Sequence, residues 1–191
     1  YDVLVHGQTI EDCIEPTSVK NLFVVPSKND LAGAEIELVP MMGREFRLQR
    51  ALQPVLNDFD YVLIDCPPVL GVLMVNALAA CDKVLIPVQT ECMALKGLER
   101  MYRTMELMQT SQTKSYDICV IPTMYDKRTK ASISAYRELR ETYGDKVWEG
   151  VIPIDTKFRT ASMEKLPLPV YAKSARGVFA YSELLKKLKS E

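Results

Sequence analysis

Five β-rich apolar runs punctuate the chain, at Asn21–Val25, Tyr61–Ile64, Lys83–Val88, Ile118–Ile121 and Val147–Ile152, and stretches with helical spacing separate them. Between the second and third runs, Leu73, Ala77 and Ala80 share one helical face. After the third run, Leu95, Leu98, Met101, Met105 and Met108 recur at helical spacing. Arg44 to Leu56 also reads as helix, with Leu48, Ala51, Leu52 and Val55 in register, and Pro54 should bend or shorten its last turn. The last segment, Ala175 to Lys189, puts Val178, Tyr181, Leu185 and Leu188 on one face. Lys186, Lys187 and Lys189 near its end suit the helix dipole. Apolar runs with little polar alternation mark strands buried on both sides. The pattern therefore predicts an α/β fold, a mostly parallel sheet flanked by helices on both faces, with ligands beyond the strand C-termini. No repeat, low-complexity tract or composition break divides the chain, so residues 1–191 read as a single domain, and Pro153, Pro167 and Pro169 fall in a loop-rich region within it.

Composition supports a sizeable core: 191 residues are 48% apolar. The methionine stripe reads as core packing, and Trp148, among strand formers, reads the same way. Cys13, Cys66, Cys81, Cys92 and Cys119 show no C-x-x-C spacing and His6 is the sole imidazole, which argues against a disulfide framework and a zinc site. Reduced thiols fit a cytosolic location. The apolar runs fall well short of the roughly 20 residues of a membrane helix, and no charged-then-apolar leader is visible. Charge is uneven. Up to Leu95 there are 6 Lys+Arg against 13 Asp+Glu; beyond it there are 18 against 12. A basic C-terminal half suits an anionic partner such as DNA, or simply solvated helix faces.

The run Tyr61-Val62-Leu63-Ile64-Asp65-Cys66-Pro67-Pro68 delivers one carboxylate to the end of an apolar strand that two prolines then stop. This is the layout of a Walker B magnesium site, since a hard oxygen ligand at a sheet edge suits Mg²⁺ or its water shell. An aspartate capping the next turn is the other reading. The usual companion, a G-x-x-x-x-G-K-[ST] phosphate loop, occurs nowhere in the chain, and Gly7, Gly33, Gly43 and Gly97 are isolated. Cys66 reads as a small buried filler, because no histidine lies near it in sequence to activate a thiol. His6, beside Gly7, reads as a surface turn residue.

With these residues the sequence resembles the ParA/Soj family of partition ATPases, deviant Walker-motif proteins related to MinD. The likeness runs through Asp30-Leu31-Ala32-Gly33-Ala34-Glu35-Ile36-Glu37-Leu38, Gly43-Arg44-Glu45, Asp60 to Pro68, and Val84-Leu85-Ile86-Pro87-Val88-Gln89-Thr90-Glu91. It continues through Ala94-Leu95-Lys96-Gly97-Leu98, Pro122-Thr123-Met124-Tyr125-Asp126, Asp145-Lys146-Val147, Val151-Ile152-Pro153 and Ser174-Ala175-Arg176-Gly177. Each segment is weak alone; their shared order makes the assignment.

The resemblance implies a P-loop NTPase-like fold of the SIMIBI class whose N-terminal strands are missing. Family members begin earlier, with a strand, the loop K-G-G-x-G-K-[ST], a helix and a second strand ending in a water-positioning aspartate. The expectation is a truncated ParA-like domain without catalytic residues of its own, inactive alone in ATP hydrolysis, which binds ATP and Mg²⁺ when complete. By resemblance, Asp65 faces the magnesium, Thr123, Tyr125, Pro153 and Asp155 line the adenine pocket, and Lys157, Arg159, Lys173 and Arg176 meet the DNA backbone without reading bases. Ile154 stands where arginine is frequent in the family, and Thr160-Ala161-Ser162-Met163 where S-E-A-P is common. Implied partners are nonspecific DNA, a ParB-like centromere-binding protein and a second copy in a homodimer, in a nucleoid-associated cytoplasmic setting without stable membrane association. Alternatives are a MinD-like membrane-positioning ATPase using the apolar stripe of the last helix, or a non-enzymatic interaction module. A bacterial tyrosine kinase shares I-D-x-P-P, but the last tyrosine, Tyr181, lies inside a helical segment. Loss of the strand beside Tyr61–Ile64 should leave backbone unpaired and the sheet marginal or rearranged.

Overall fold

The chain folds into two compact units, Tyr1–Asp82 and Lys83–Glu191, and the computed structural model describes residues 1–66, 69, 71–111 and 115–190. The first unit holds α1 (Asp2–Val5), a two-residue antiparallel pairing of β1 (Glu15–Pro16) with β2 (Phe23–Val24), α2 (Leu31–Glu37), α3 (Arg47–Leu52) and α4 (Val72–Ala80). Leu4, Val5, Ala34 and Leu38 form one apolar cluster; Ile10, Leu52 and Val55 form another, against which Ile64 and Phe59 pack. Asn76 is fully buried on α4 and completely engaged. Its Nδ2 donates to the carbonyls of Arg44 (2.7 Å) and Val72 (2.9 Å), and its Oδ1 accepts from Leu48 N–H (3.1 Å). The helix anticipated from Arg44 to Leu56 is α3 between two 3₁₀ turns, Arg44–Phe46 and Gln53–Asp58. Pro54 lies at the start of the second, where a missing N–H costs least.

Two anticipated strands of this unit differ. The run Asn21–Val25 contributes only the short β2, and Tyr61–Ile64 belongs to no strand. Extended backbone becomes a strand only when a neighbour completes its hydrogen bonds. Among the described residues no ladder reaches 61–66, and Leu63 is 87% exposed. Pro67 and Pro68 lie outside the described residues.

The second unit is built on β3 (Lys83–Gln89) and β4 (Asp117–Thr123), parallel in register from Lys83↔Asp117 to Gln89↔Thr123. α5 (Cys92–Ser111) connects them; α6 (Lys130–Tyr143), α7 (Lys157–Met163), α8 (Leu168–Tyr171) and α9 (Arg176–Ser190) follow. The segment expected as a strand at Val147–Ile152 runs beside β4 without forming a ladder. Trp148 N–H bonds to Val120 O at 2.9 Å and Ile152 N–H to Pro122 O at 2.8 Å, but a bend at Glu149 and Gly150 separates the parallel bridges at Val147 and Pro153.

Alternation along the strands sends Leu85, Cys119 and Ile121 to one face, packed with Trp148, Ile152, Ala180, Leu184 and Leu188. Ile86, Val88 and Val120 point the other way and are also buried, with α5 lying along β3 and against α6. Helices thus cover both faces of a parallel sheet, as the sequence pattern requires. Leu95, Leu98 and Met105 of the stripe on α5 are buried core; the side chain of Met108 lies outside the described set. The face of α9 is shifted from the expected one: Gly177, Ala180 and Leu184 turn inward, whereas Tyr181 and Leu185 are 44% and 46% exposed. Small residues at 177 and 180 let the helix approach closely, with Gly177 against the Phe158 ring and Leu168, a contact that a larger side chain would block.

Candidate functional site

Asp65 lies in the first unit, directly after Ile64, whose side chain is anchored in the Leu52 and Val55 cluster; its own carboxylate is exposed. Cys66 beside it is half-buried. Burial first, then the neighbouring Asp65 and Cys81, push its thiol up, which keeps it protonated and agrees with a filler role. Later in the same unit, α4 begins on a carboxylate that sequence reasoning missed. Glu35 Oε2 and Oε1 accept from Val72 N–H (2.7 Å) and Leu73 N–H (3.2 Å), capping two amides with one side chain. Gly71 leaves the room for it, since a Cβ there would meet the Glu35 carboxylate. The partners are separated by 37 and 38 residues, so no local spacing could have revealed the cap.

The second group assembles in the other unit, where β4 ends. Thr123 is its last residue, Met124 turns the chain at a left-handed φ of 52°, and Tyr125 then bonds to the neighbouring extended segment. Tyr125 N–H donates to Ile152 O at 3.1 Å, and Tyr125 O accepts from Ile154 N–H at 3.2 Å. Thr123, Tyr125 and Pro153 are thereby brought side by side at the strand C-termini, where ligands of parallel sheets gather. The Tyr125 ring is held edge-on by Tyr136 at 5.7 Å between centroids.

Asp155 has a more specific task than sequence resemblance suggests. Its Oδ1 accepts from Lys157 N–H (3.0 Å) and its Oδ2 from Gly177 N–H (3.1 Å), so one carboxylate staples the first turns of α7 and α9 together. The Gly177 amide, then that of Lys157 and the nearby Arg176 and Lys157 charges, hold its carboxyl below the usual range. Arg176 donates to Ile154 O at 3.1 Å and adds to the same junction. Lys157 and Arg159 are exposed on α7, and Lys173 is exposed ahead of α9. Sequence reasoning also passed over Asp126 and Arg128, although their D-x-R spacing is visible: the pair meets through two hydrogen bonds of 2.9 and 2.8 Å. Arg128 holds the Asp126 carboxyl down at about 2.

One exposed carboxylate suits magnesium, which keeps most of its waters and needs only one or two protein oxygens. Among the described residues no group of three or more His, Cys, Asp or Glu forms a protein cage. Asp65 therefore fits an ion shared with water and phosphate oxygens. No helix among the described residues is long and apolar enough to cross a membrane.

A parallel strand pair covered by helices, with loops after its strands, belongs here to a P-loop NTPase-like α/β fold, which solved structures share. The AAA domain family matches residues 1–118. The sporulation initiation inhibitor protein Soj of Bacillus subtilis is 43% identical over 189 residues, spanning 98% of this chain and 75% of the relative. The chromosome partitioning protein ParA of Myxococcus xanthus is 36% identical over 98% of the chain and 67% of its own length. The chain belongs to the ParA/Soj family of partition ATPases.

Solved structures agree on the fold. Cobyrinic acid a,c-diamide synthase from Mycobacterium smegmatis, with bound ADP and magnesium, superposes with a TM-score of 0.80 at 33% identity, over 99% of this chain and 71% of that one. The cell division ATPase MinD of Pyrococcus furiosus, at 21% identity, shares the fold with a TM-score of 0.75 over 99% of this chain and 74% of its own.

Proposed function

We propose that these residues form the magnesium, base and DNA-facing parts of one nucleotide-binding domain in an ATP-dependent partition protein for chromosome or plasmid. The observation that carries this reading is the similarity to Soj over 189 residues, 98% of the chain, with Asp65 inside it. Magnesium-bound ATP supplies the triphosphate and the charge that the protein reads. Asp65 orients the waters of the ion. Thr123, Tyr125 and Pro153 shape the wall facing the base, and Asp155 fixes that wall by tying α7 to α9. The phosphate loop itself is not among these 191 residues.

The complete protein dimerises on ATP, associates with the nucleoid in the cytoplasm and is reset by a ParB-like partner. Lys157, Arg159, Lys173 and Arg176 bind DNA phosphates regardless of sequence. The charge division supports this: the second unit carries 19 Lys+Arg against 13 Asp+Glu, the first 5 against 12. Phosphate contacts release counterions, so affinity falls steeply with salt. In the full-length protein with ATP, replacing Lys157 with Ala is expected to weaken DNA retention for every sequence and to lower the log–log salt slope by about one. Retention that ignores salt, or an unchanged slope in the variant, would contradict the DNA assignment.

A further inference from the structure

A buried pair of hydroxyls lies behind the loop that carries Tyr125. Thr90 follows β3 and Ser132 sits in the first turn of α6; each is 5% exposed, and their oxygens are 2.6 Å apart. The surrounding bonds give the pair a direction. Asp126 N–H donates to Ser132 Oγ at 3.0 Å, which leaves the serine proton for Thr90 Oγ1. Thr90 Oγ1 in turn shares its one proton between the carbonyls of Thr123 at 3.3 Å and Met124 at 3.4 Å. A continuous relay therefore runs from the amide of Asp126, through serine and threonine, to the carbonyls on the other side of the same turn. Thr90 N–H adds a 3.0 Å bond to Thr123 O.

The relay closes on itself around a strained point. Met124, whose side chain carries a Cβ, is held at φ 52°, a conformation that most residues leave unless neighbouring bonds fix it. Both ends of the relay grip that turn: Thr90 holds its carbonyls and Ser132 the amide two residues on. Thr129 Oγ1 accepts from Ser132 N–H at 3.3 Å, so the serine is itself seated by the helix cap. Neither hydroxyl is open to solvent. Both act on whatever the loop binds only through the loop.

We propose that Thr90 and Ser132 are positioning residues that preorganise loop 123–126 for the nucleotide base, so that affinity for the base depends on two side chains that do not touch it. The proposal rests on the assignment of Thr123 and Tyr125 to the base pocket in the preceding subsection. A loop fixed before binding loses less conformational freedom on binding, and that saving appears as affinity.

The test is calorimetric titration of the full-length protein with magnesium ATP and, separately, magnesium tripolyphosphate, which has no base. Thr90→Val and Ser132→Ala are expected to bind ATP about 5- to 20-fold more weakly, the range of one lost buried hydrogen bond, with tripolyphosphate affinity unchanged. Thr90→Ser, which keeps the hydroxyl, should stay within about twofold of the parent on the same scale. Unchanged ATP affinity in both disruptive variants overturns the proposal, as does an equal loss for ATP and tripolyphosphate. A parent protein that binds tripolyphosphate and ATP equally well overturns the base-pocket assignment itself. Hydrogen exchange on the unsubstituted protein checks the relay without any variant: the Tyr125 and Asp126 amides should be protected before nucleotide is added. Protection that arises only with ATP overturns the proposal.

Discussion

Single side chains in this molecule serve mainly to satisfy backbone that the topology would leave bare. Asn76 ties α4 to α3 and the 3₁₀ turn before it, Glu35 caps α4, and Asp155 joins α7 to α9. None of these roles was legible in the sequence, because the bonds that join one element to another span 22 to 38 residues. Two of the carboxylates at the strand ends carry a pH signature. Asp126 is held at about 2 by Arg128, against an ordinary 3.8, and Asp155 is shifted downward by the amides it accepts. A carboxyl with a depressed folded value binds protons more readily when unfolded. Its stabilisation is therefore full above about pH 4 and is lost as pH falls towards about 2. Urea unfolding of Asp126→Asn compared with the parent at pH 6 and pH 3 should show a smaller acid loss in the variant, with some loss remaining from Asp155. Parallel profiles for the two proteins would show that the Asp126–Arg128 pair does not contribute.

At the scale of elements, β3 and β4 were readable as runs rich in Val, Ile and Leu, with β4 buried on both faces and β3 chiefly on the face of Ile86 and Val88, which a parallel sheet packed by helices accommodates. The run at Tyr61–Ile64 has the same composition and forms no strand, since strand identity belongs to a pair of segments rather than to one. The last helix was legible in extent but not in rotation. Counting large apolar residues put Tyr181 and Leu185 inward, whereas close packing chose the lane of Gly177, Ala180, Leu184 and Leu188, in which small residues bring the helix near Phe158 and the sheet. Neighbouring leucines on α9 therefore make a direct comparison. Leu184→Ala opens a cavity in the core beside Cys119 and Trp148 and is expected to cost about 2–4 kcal/mol in denaturant unfolding. Leu185→Ala, half-exposed, should cost under about 1 kcal/mol. Equal losses, or the reverse order, would refute the observed rotation of the helix.

Across the whole chain, chemistry is divided between the units. The acidic first unit presents Asp65, while the basic second unit presents the Tyr125 loop and the cationic side chains of α7 and α9. Family membership was legible because many short segments keep one order over the full length, whereas the candidate site was legible only as residue types. Resemblance to the family nominated Thr123, Tyr125 and Pro153 for the base pocket; the structure pairs Tyr125 with Pro153 just beyond the strand that ends at Thr123. The sequence could not show that Asp155 is occupied with two helix amides. Of all the proposed assignments, the magnesium role of Asp65 is the one on which the others depend. Calorimetric titration of the full-length protein and its Asp65→Asn variant with a non-hydrolysable ATP analogue, with and without Mg²⁺, tests it most directly. The account predicts that Mg²⁺ tightens binding in the parent and that Asp65→Asn removes this gain, with binding in the absence of Mg²⁺ unchanged. A parent that binds no nucleotide, or a variant that keeps the full Mg²⁺ dependence, would contradict it.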